Sequence, residues 1–242
     1  EEITMKRPSL LLYLTEIPRA VWERIRSAKY MKKFTPKVKG DGHPVFFVPG
    51  FMASDNSTKI LRKFLNRIGY KTFGWGLGMN LGNLDDLEIL SQKLKEIHQK
   101  EGRKVTLIGW SLGGVYAREL AKENPLLIRQ VFTMGSPFKG IKVPNNATWL
   151  FRLIHGRKAE EKHGDKIEQI PIPPVVPVTA IYSKKDGIVP WQACMENPEN
   201  DLHENREVRG SHFGLGVNRD VLEIIVEKIS VRAAAFSEVE PD

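Results

Sequence analysis

The sequence contains a single cysteine, Cys194, in 242 residues. One thiol excludes a disulfide within the chain, so the fold must be held together by its core. The apolar runs are all shorter than the roughly 20 residues that a helix needs to cross a bilayer. Because 41% of the residues are hydrophobic, the chain can bury a substantial core, and we expect one soluble globular domain.

Motifs for metals, phosphates and nucleic acids are also missing. His155, His163 and Asp165 lie close together, but their spacing matches no zinc motif. The glycine-rich stretch 74–83 lacks the ending of a phosphate-binding loop and favours a flexible loop that lines a site. No aromatic and basic recognition motif accompanies the net charge of +8. We therefore expect no metal, no organic cofactor and no nucleic-acid partner.

The positive charge is concentrated at the start of the chain. Residues 1–39 hold ten Lys and Arg against four Glu, and 10 − 4 gives +6. Apolar residues recur there at steps of three and four, with Trp22 beside them and Pro18 interrupting one straight helix: Leu10, Leu14, Ile17, Val21 and Ile25. The pattern predicts a basic helical arm over residues 1–40. Its stripe either packs on the domain or, within residues 6–39, enters a lipid surface.

The sequence Gly109-Trp110-Ser111-Leu112-Gly113 follows a short apolar run, 104–108, and precedes a helical pattern. A serine between two glycines, at a turn from strand to helix, is typical of a nucleophile elbow. The turn is so tight that residues two before and two after the serine must lack side chains. The helix that follows points its N-terminus toward the place where negative charge develops. We predict that Ser111 is a nucleophile.

A base and an acid follow the serine in the order that such hydrolases use. Asp186 lies just past the apolar strand 178–182, and His212 lies past a short strand at 206–209. His212 could take the proton from Ser111, and Asp186 could orient the imidazole and stabilise its cation. The sequence therefore predicts a Ser-Asp-His triad.

Two backbone N–H groups are candidates for the oxyanion hole. A glycine-containing turn, with Phe51 and Met52, follows the apolar strand 44–48. The N–H of Phe51 can point into the site from this turn, and Leu112 supplies the N–H that follows the nucleophile. Both assignments rest on position, because backbone donors leave no mark in the side chains.

At these motifs the chain resembles the α/β-hydrolase family, from about Gly42 to Ser230. Within it, the segments Pro49-Gly50-Phe51 and Gly135-Ser136-Pro137 look most like those of bacterial esterases and lipases. There are two departures: Trp110 stands where lipases often carry His, and the first two strands of the family sheet are not visible before Gly42. The resemblance implies hydrolysis of a carboxylic ester through an acyl-enzyme, with a small-molecule or lipid ester as substrate.

Strands alternate with helices, which predicts a mostly parallel sheet of about six strands flanked by helices, the α/β-hydrolase fold. We expect this domain to span residues 41–235, with a lid-like insertion at 139–174 and a tail at 236–242. Apolar residues near the strand ends or in the insertion are candidates for substrate binding: Met52, Trp110, Trp149 and Trp191.

Three alternatives stay open. A thioesterase or an acyltransferase would share the triad, and a ligand-binding protein could keep the scaffold without turnover. The one cysteine fits a cytoplasmic protein. The first residue is Glu1 rather than Met, so a secreted protein with a removed leader also stays open.

Overall fold

A computed structural model describes residues 6–35, 39–139, 168–197 and 199–237. Within these ranges, six strands form one sheet: β1 Pro44–Val48, β2 Lys71–Phe73, β3 Val105–Trp110, β4 Ile128–Met134, β5 Val178–Tyr182 and β6 His203–Glu207. Their order across the sheet is β2-β1-β3-β4-β5-β6, and all neighbours run parallel. The predicted α/β fold with about six parallel strands is confirmed.

The main helices of the described ranges have the bounds α1 Leu10–Leu14, α2 Glu16–Lys33, α3 Asp55–Arg67, α4 Asp86–Glu101, α5 Leu112–Glu123 and α6 Arg219–Ser237. Helix α6 runs past the predicted end of the domain at residue 235 and takes in the first two residues of the predicted tail, 236–242. The alanines at 233–235 favour this continuation, because alanine has the highest helix propensity. The candidate lid, apart from residues 139 and 168–174, lies outside the described residues.

The two faces of the sheet bury different helices. Side chains alternate along a strand, so Val45 and Phe47 of β1 pack with α3 and α6. Phe46 and Val48 point to the other face and pack with α4 and α5. Strands β1 and β3 to β5 are buried along their full length, as is typical of a parallel sheet covered on both sides. Their carboxyl ends therefore meet at one rigid edge.

The N-terminal arm consists of α1 and α2, which meet at Thr15. Pro18 lies in the first turn of α2, where its missing N–H cannot continue the hydrogen bonds of α1. Helix α2 packs on α6 and on the Leu215–Val217 turn. Tyr30 donates a hydrogen bond of 2.5 Å to Glu223 of α6. The predicted arm is thus helical and lies on the domain.

The face that the arm turns to the domain is the opposite of the one predicted from its apolar stripe. The stripe is exposed, at 69% for Ile17, 54% for Val21 and 66% for Ile25. The buried residues of α2 are polar, Glu16 and Ser27. The interpretation that the stripe packs on the domain is wrong, because the loops beneath the arm present backbone N–H groups that require acceptors. No helix in the described ranges combines the length and apolarity that a bilayer crossing requires.

Candidate active site

Ser111 lies between β3 and α5 with a φ of 53° and a ψ of −124°. Backbone in this region is strained for any residue with a side chain, and such strain is concentrated at functional sites. Among the described residues, the only other non-glycine residue with positive φ is Met52, at 57°. Met52 lies in the turn after β1. The two strained residues therefore follow neighbouring strands, β1 and β3, at the carboxyl edge of the sheet.

Contacts at the elbow show why its outer positions are glycine. A Cβ on Gly113 would lie 2.1 Å from the carbonyl oxygen of Val48, and one on Gly109 would lie 2.3 Å from that of Gly113. These neighbours are backbone atoms, which cannot rotate away. The requirement for residues without side chains two before and two after Ser111 is thus confirmed as a matter of packing.

The turn after β1 lies directly against the serine. A Cβ on Gly50 would lie 3.1 Å from Cβ of Ser111, which brings the neighbouring Phe51 to the same edge. Asn80 is fully buried and holds this turn: its Nδ2 donates to Pro49 O at 2.8 Å, and its carbonyl oxygen accepts from Met52 N at 2.8 Å. The glycine-rich loop that contains Asn80 thus supports this turn.

Leu112 is the first residue of α5. The N–H of a first helical residue has no partner inside its own helix, so it can serve a ligand. The dipole of α5 also places partial positive charge at this end. The position of Leu112 therefore suits an oxyanion donor, and its use, like that of Phe51, stays a prediction.

Asp186 and His212 are 26 residues apart in the chain and adjacent in the fold. Nδ1 of His212 lies 2.6 Å from Oδ2 of Asp186, and both side chains are almost fully buried. The other oxygen, Oδ1, accepts hydrogen bonds of 2.8 Å from the backbone N–H groups of Ile188 and Val189. A carboxylate held in this way fixes the tautomer and direction of the imidazole, with Nδ1 as the donor.

The Asp186–His212 pair lies beside the elbow. Ser111 N donates to Met134 O at 2.8 Å. Gly135 follows Met134, and a Cβ added to it would lie 3.2 Å from both Asp186 Oδ2 and His212 Nδ1. Trp110 also donates from Nε1 to His212 O at 3.2 Å. Among the contacts of the described residues, none joins Ser111 Oγ to His212 Nε2; in unliganded enzymes such bonds are often long and tighten with substrate.

Electrostatics favour the protonated imidazole of His212. Burial by itself lowers the pKa of a histidine. The charge and hydrogen bond of Asp186, with the charge of Glu16, outweigh burial and raise the pKa of His212 above its usual value of 6.5. The pair therefore holds a proton on the imidazole more strongly than free histidine does.

Residues of the arm complete the site, and the sequence motifs did not reveal them. The carboxylate of Glu16 accepts from Gly187 N at 2.7 Å and from His212 N at 3.1 Å, so it binds the loops of both Asp186 and His212. Glu23 accepts from Ser211 N at 2.9 Å and from Ser211 Oγ at 2.8 Å. One signal was available: between residues 6 and 39 these are the only acidic residues in a basic segment.

The candidate substrate-binding residues lie in different surroundings. Met52 is 45% exposed at the edge of the sheet. Trp110 is largely buried and borders a cavity of about 250 Å³ between the arm and α3. Trp191 stacks on Tyr182, with 5.7 Å between the ring centroids. Trp149 lies outside the described residues. Their roles toward substrate stay predictions.

No known protein-family model matches the chain. One curated protein, a mitochondrial palmitoyl-protein thioesterase named ABHD10 from Bos taurus, is 23% identical over 193 residues. This match covers 66% of the present chain and 62% of that protein, which is less than two thirds of its length.

Solved structures are more numerous and show the same fold. The mature lipase BlEst2 of Bacillus licheniformis matches with a TM-score of 0.56 and 15% identity, over 81% of this chain and 95% of that one. A monoacylglycerol lipase of Paleococcus ferrophilus matches with a TM-score of 0.57 and 16% identity, over 80% of this chain and 97% of that one. Mouse ABHD10 matches with a TM-score of 0.52 and 18% identity, over 82% of this chain and 92% of that one. With the parallel sheet described above, these likenesses identify the chain as a protein of the α/β-hydrolase fold.

Proposed function

We propose that the protein is a serine hydrolase that cleaves carboxylic esters, as an esterase or lipase, through an acyl-enzyme. The observation that carries the proposal is the buried Asp186–His212 pair, joined at 2.6 Å beside the strained Ser111. The solved neighbours, which include lipases of similar fold, support the reaction class. The assignment of Ser111, Asp186 and His212 as a triad is part of this proposal.

In the first half of the reaction, Ser111 Oγ attacks the acyl carbon while its proton passes to Nε2 of His212. The carbonyl oxygen becomes an oxyanion, which the N–H groups of Phe51 and Leu112 stabilise. The bond from the acyl carbon to the alcohol oxygen then breaks. The alcohol leaves with the proton from His212, and the acyl group stays on Ser111.

The second half returns the enzyme to its starting state. Water attacks the acyl carbon and gives one proton to His212. The bond to Ser111 Oγ breaks, Oγ takes that proton back, and the carboxylic acid leaves. Asp186 stabilises the imidazolium in both halves and does not itself take up the proton. The chemistry uses only groups of this chain and water.

Covalent labelling tests the nucleophile. A fluorophosphonate probe should label the intact protein, and Ser111→Ala should abolish the label. Initial rates on nitrophenyl esters from short to long acyl chains would then define the acyl preference, which we expect to be apolar from Met52, Trp110, Trp149 and Trp191. An intact protein that stays unlabelled and inactive on the whole panel would be a ligand-binding protein on the same scaffold.

A thioesterase is the second candidate, and one observation favours it. The curated relative is named a palmitoyl-protein thioesterase, although it shares only 23% identity. An oxygen ester and a thioester that carry the same acyl group separate the two functions by their kcat/KM values. An acyltransferase would reveal itself through faster release of the leaving group when an alcohol acceptor is added.

A further inference from the structure

The outward face of the N-terminal arm combines exposed apolar side chains with positive charge. On α1 and α2, seven large apolar residues are between 54% and 72% exposed: Leu10, Leu11, Leu14, Ile17, Val21, Trp22 and Ile25. Scattered apolar residues are normal at a protein surface, but a contiguous set marks an interaction site. The arm therefore presents an unpartnered apolar surface within the described chain.

Charge along the same arm is segregated. The two acidic residues described in it, Glu16 and Glu23, point toward the domain and bind the loops there. Exposed cations remain on the outside: Lys6, Arg7, Arg24, Arg26, Lys29, Lys32 and Lys33. An outward face with cations and apolar groups, and without an exposed carboxylate among its described residues, complements an anionic lipid surface.

The apolar surface continues to the catalytic loop. Phe213, the neighbour of His212, is 48% exposed and lines the cavity of about 250 Å³ together with Ile17 and Val21. A surface that contacts this face of the arm would therefore also contact the loop of His212.

We propose that the outward face of the arm docks the protein on anionic lipid surfaces. Apolar side chains of α1 and α2 enter the boundary between headgroups and acyl chains, while the cations contact the headgroups. Docking brings the His212 loop to the lipid, from which an apolar ester can reach the site. The inference goes beyond hydrolysis, because binding to lipid can be measured without turnover.

Vesicle sedimentation with the intact chain tests this proposal. Vesicles that contain phosphatidylglycerol should bind the protein more strongly than pure phosphatidylcholine. The preference should weaken as salt rises, since exposed charges are screened over a Debye length of about 8 Å at physiological ionic strength. Ile25→Ser should weaken binding by about tenfold, the order expected when a large apolar side chain is lost from an apolar phase.

Leu126→Ser is the matched control, because Leu126 is 81% exposed and lies in a turn away from the arm. It should leave vesicle binding unchanged, and both variants should keep the melting temperature of the parent. Absence of vesicle binding by the parent would overturn the proposal. Equal losses of vesicle binding in the two variants would also overturn it. A parent that forms a dimer, does not bind vesicles and becomes monomeric with Ile25→Ser would overturn it as well.

A different observation carries a second inference, which rests on the proposed function. The side chain of Glu16 is only 2% exposed, and its carboxylate bonds to the backbone beside both members of the acid–base pair. Its Oε2 also accepts from Phe213 N at 3.3 Å, and Arg19 compensates its charge at 2.8 Å. We infer that Glu16 is a positioning residue for Asp186 and His212.

Glu16→Gln tests this role without removing the bulk of the side chain. The charge of Glu16 helps to raise the pKa of His212, so the variant should lower the midpoint of the His212 imidazole titration followed by NMR. It should lower kcat more than it raises KM. Glu23→Gln is the matched control, because Glu23 accepts hydrogen bonds from the adjacent Ser211 and not from His212 or Gly187.

The His212 titration tests the positioning role of Glu16 separately from the proposed hydrolase function. An unchanged His212 midpoint in Glu16→Gln, or an equal shift in Glu23→Gln, would overturn the positioning role even if Ser111 is labelled by fluorophosphonate. Failure of that labelling in the intact protein would count against the hydrolase itself. Glu16→Asp, which keeps the charge on a shorter side chain, should keep the parent midpoint.

Discussion

Ser111, the proposed nucleophile, has a strained backbone. Its φ of 53° is costly for a residue with a Cβ, and the hydrogen bond from its N–H to Met134 O holds it in place. The buried Asp186–His212 pair lies beside it. Each of the three proposed roles can be tested by a single substitution.

Ser111→Ala and His212→Ala should each lower kcat by several orders of magnitude while the fold is kept, because each removes a group that acts only with the others. Asp186→Asn should lower kcat by about 10⁴-fold, since the imidazole loses the charge that fixes its tautomer. Steady-state rates with a nitrophenyl ester, beside melting curves, would show this. Asp201→Asn is the control at an exposed aspartate, and a loss of rate there but not at Asp186 would contradict the assignment.

The protonation of His212 predicts the pH dependence of activity. The proposed hydrolysis requires the neutral imidazole as base. Burial lowers the pKa of His212, but Asp186 and Glu16 outweigh burial and raise it above its usual 6.5. The rate should therefore rise with pH through a midpoint above about 6.5 and stay high at mildly alkaline pH. The measurement is kcat/KM against pH, and a midpoint well below 6 would be the contrary result.

The strand–elbow–helix unit β3–α5 depends on close backbone packing. Because a Cβ on Gly113 would lie 2.1 Å from Val48 O, α5 passes β1 at a distance that no side chain permits. Ser111 lies two residues before Gly113, so this contact helps to hold Ser111 at the edge of the sheet.

Gly113→Ala should therefore lower the free energy of unfolding by about 3 kcal/mol, at the upper end of what overpacking costs, and should reduce activity. Gly78→Ala is the control: nothing lies within 4 Å of its added Cβ, and only its φ of +76° is unfavourable. That substitution should cost about 1–2 kcal/mol. Urea unfolding of both variants measures the difference, and equal losses would argue against the packing explanation.

The arm shows that an element can have the predicted structure and the opposite orientation. Helix α2 turns Glu16 and Ser27 inward and Val21 and Ile25 outward. The buried carboxylate is stabilised because it meets backbone N–H groups of two loops and the guanidinium of Arg19.

The stability of the whole molecule should depend on His43, at the edge of the sheet opposite the candidate active site. His43 Nε2 lies 2.8 Å from Thr106 Oγ1, and Arg129 donates to Nδ1 at 3.0 Å. Burial and then the charge of Arg129 lower the pKa of His43 to about 3, whereas Asp41 raises it and Arg103 lowers it slightly. The folded protein thus keeps His43 neutral where the unfolded chain would protonate it.

The sign of the effect follows from proton binding. Between about pH 6.5 and 3 the unfolded state binds more protons at this site, so stability is fully present above pH 6.5 and is lost as pH falls. We expect a loss of a few kcal/mol. Melting temperatures from pH 7 to 4 should fall more steeply in the parent than in His43→Gln. His212, whose pKa is raised, acts in the opposite direction and is common to both proteins.

Features that depend on neighbours along the chain were predictable from the amino-acid order alone. The elbow was predictable because Gly109 and Gly113 flank Ser111 between an apolar run and a helical pattern. Buried parallel strands were predictable because they are nearly continuous apolar runs. The order of Ser111, Asp186 and His212 placed each after a strand, and parallel strands bring such ends to one edge.

The groups that contact those residues from distant parts of the chain became visible in the folded structure alone. The carboxylate of Glu16 reaches His212 across 196 positions of sequence, and Asn80 reaches Pro49 across 31. An amphipathic pattern states that a helix has two faces, but not which one meets the domain. The surface of the domain on which the helix packs determines which face is buried. Here the loops of Asp186 and His212 offered backbone donors that only an acceptor such as Glu16 could satisfy, so the apolar face was left outside.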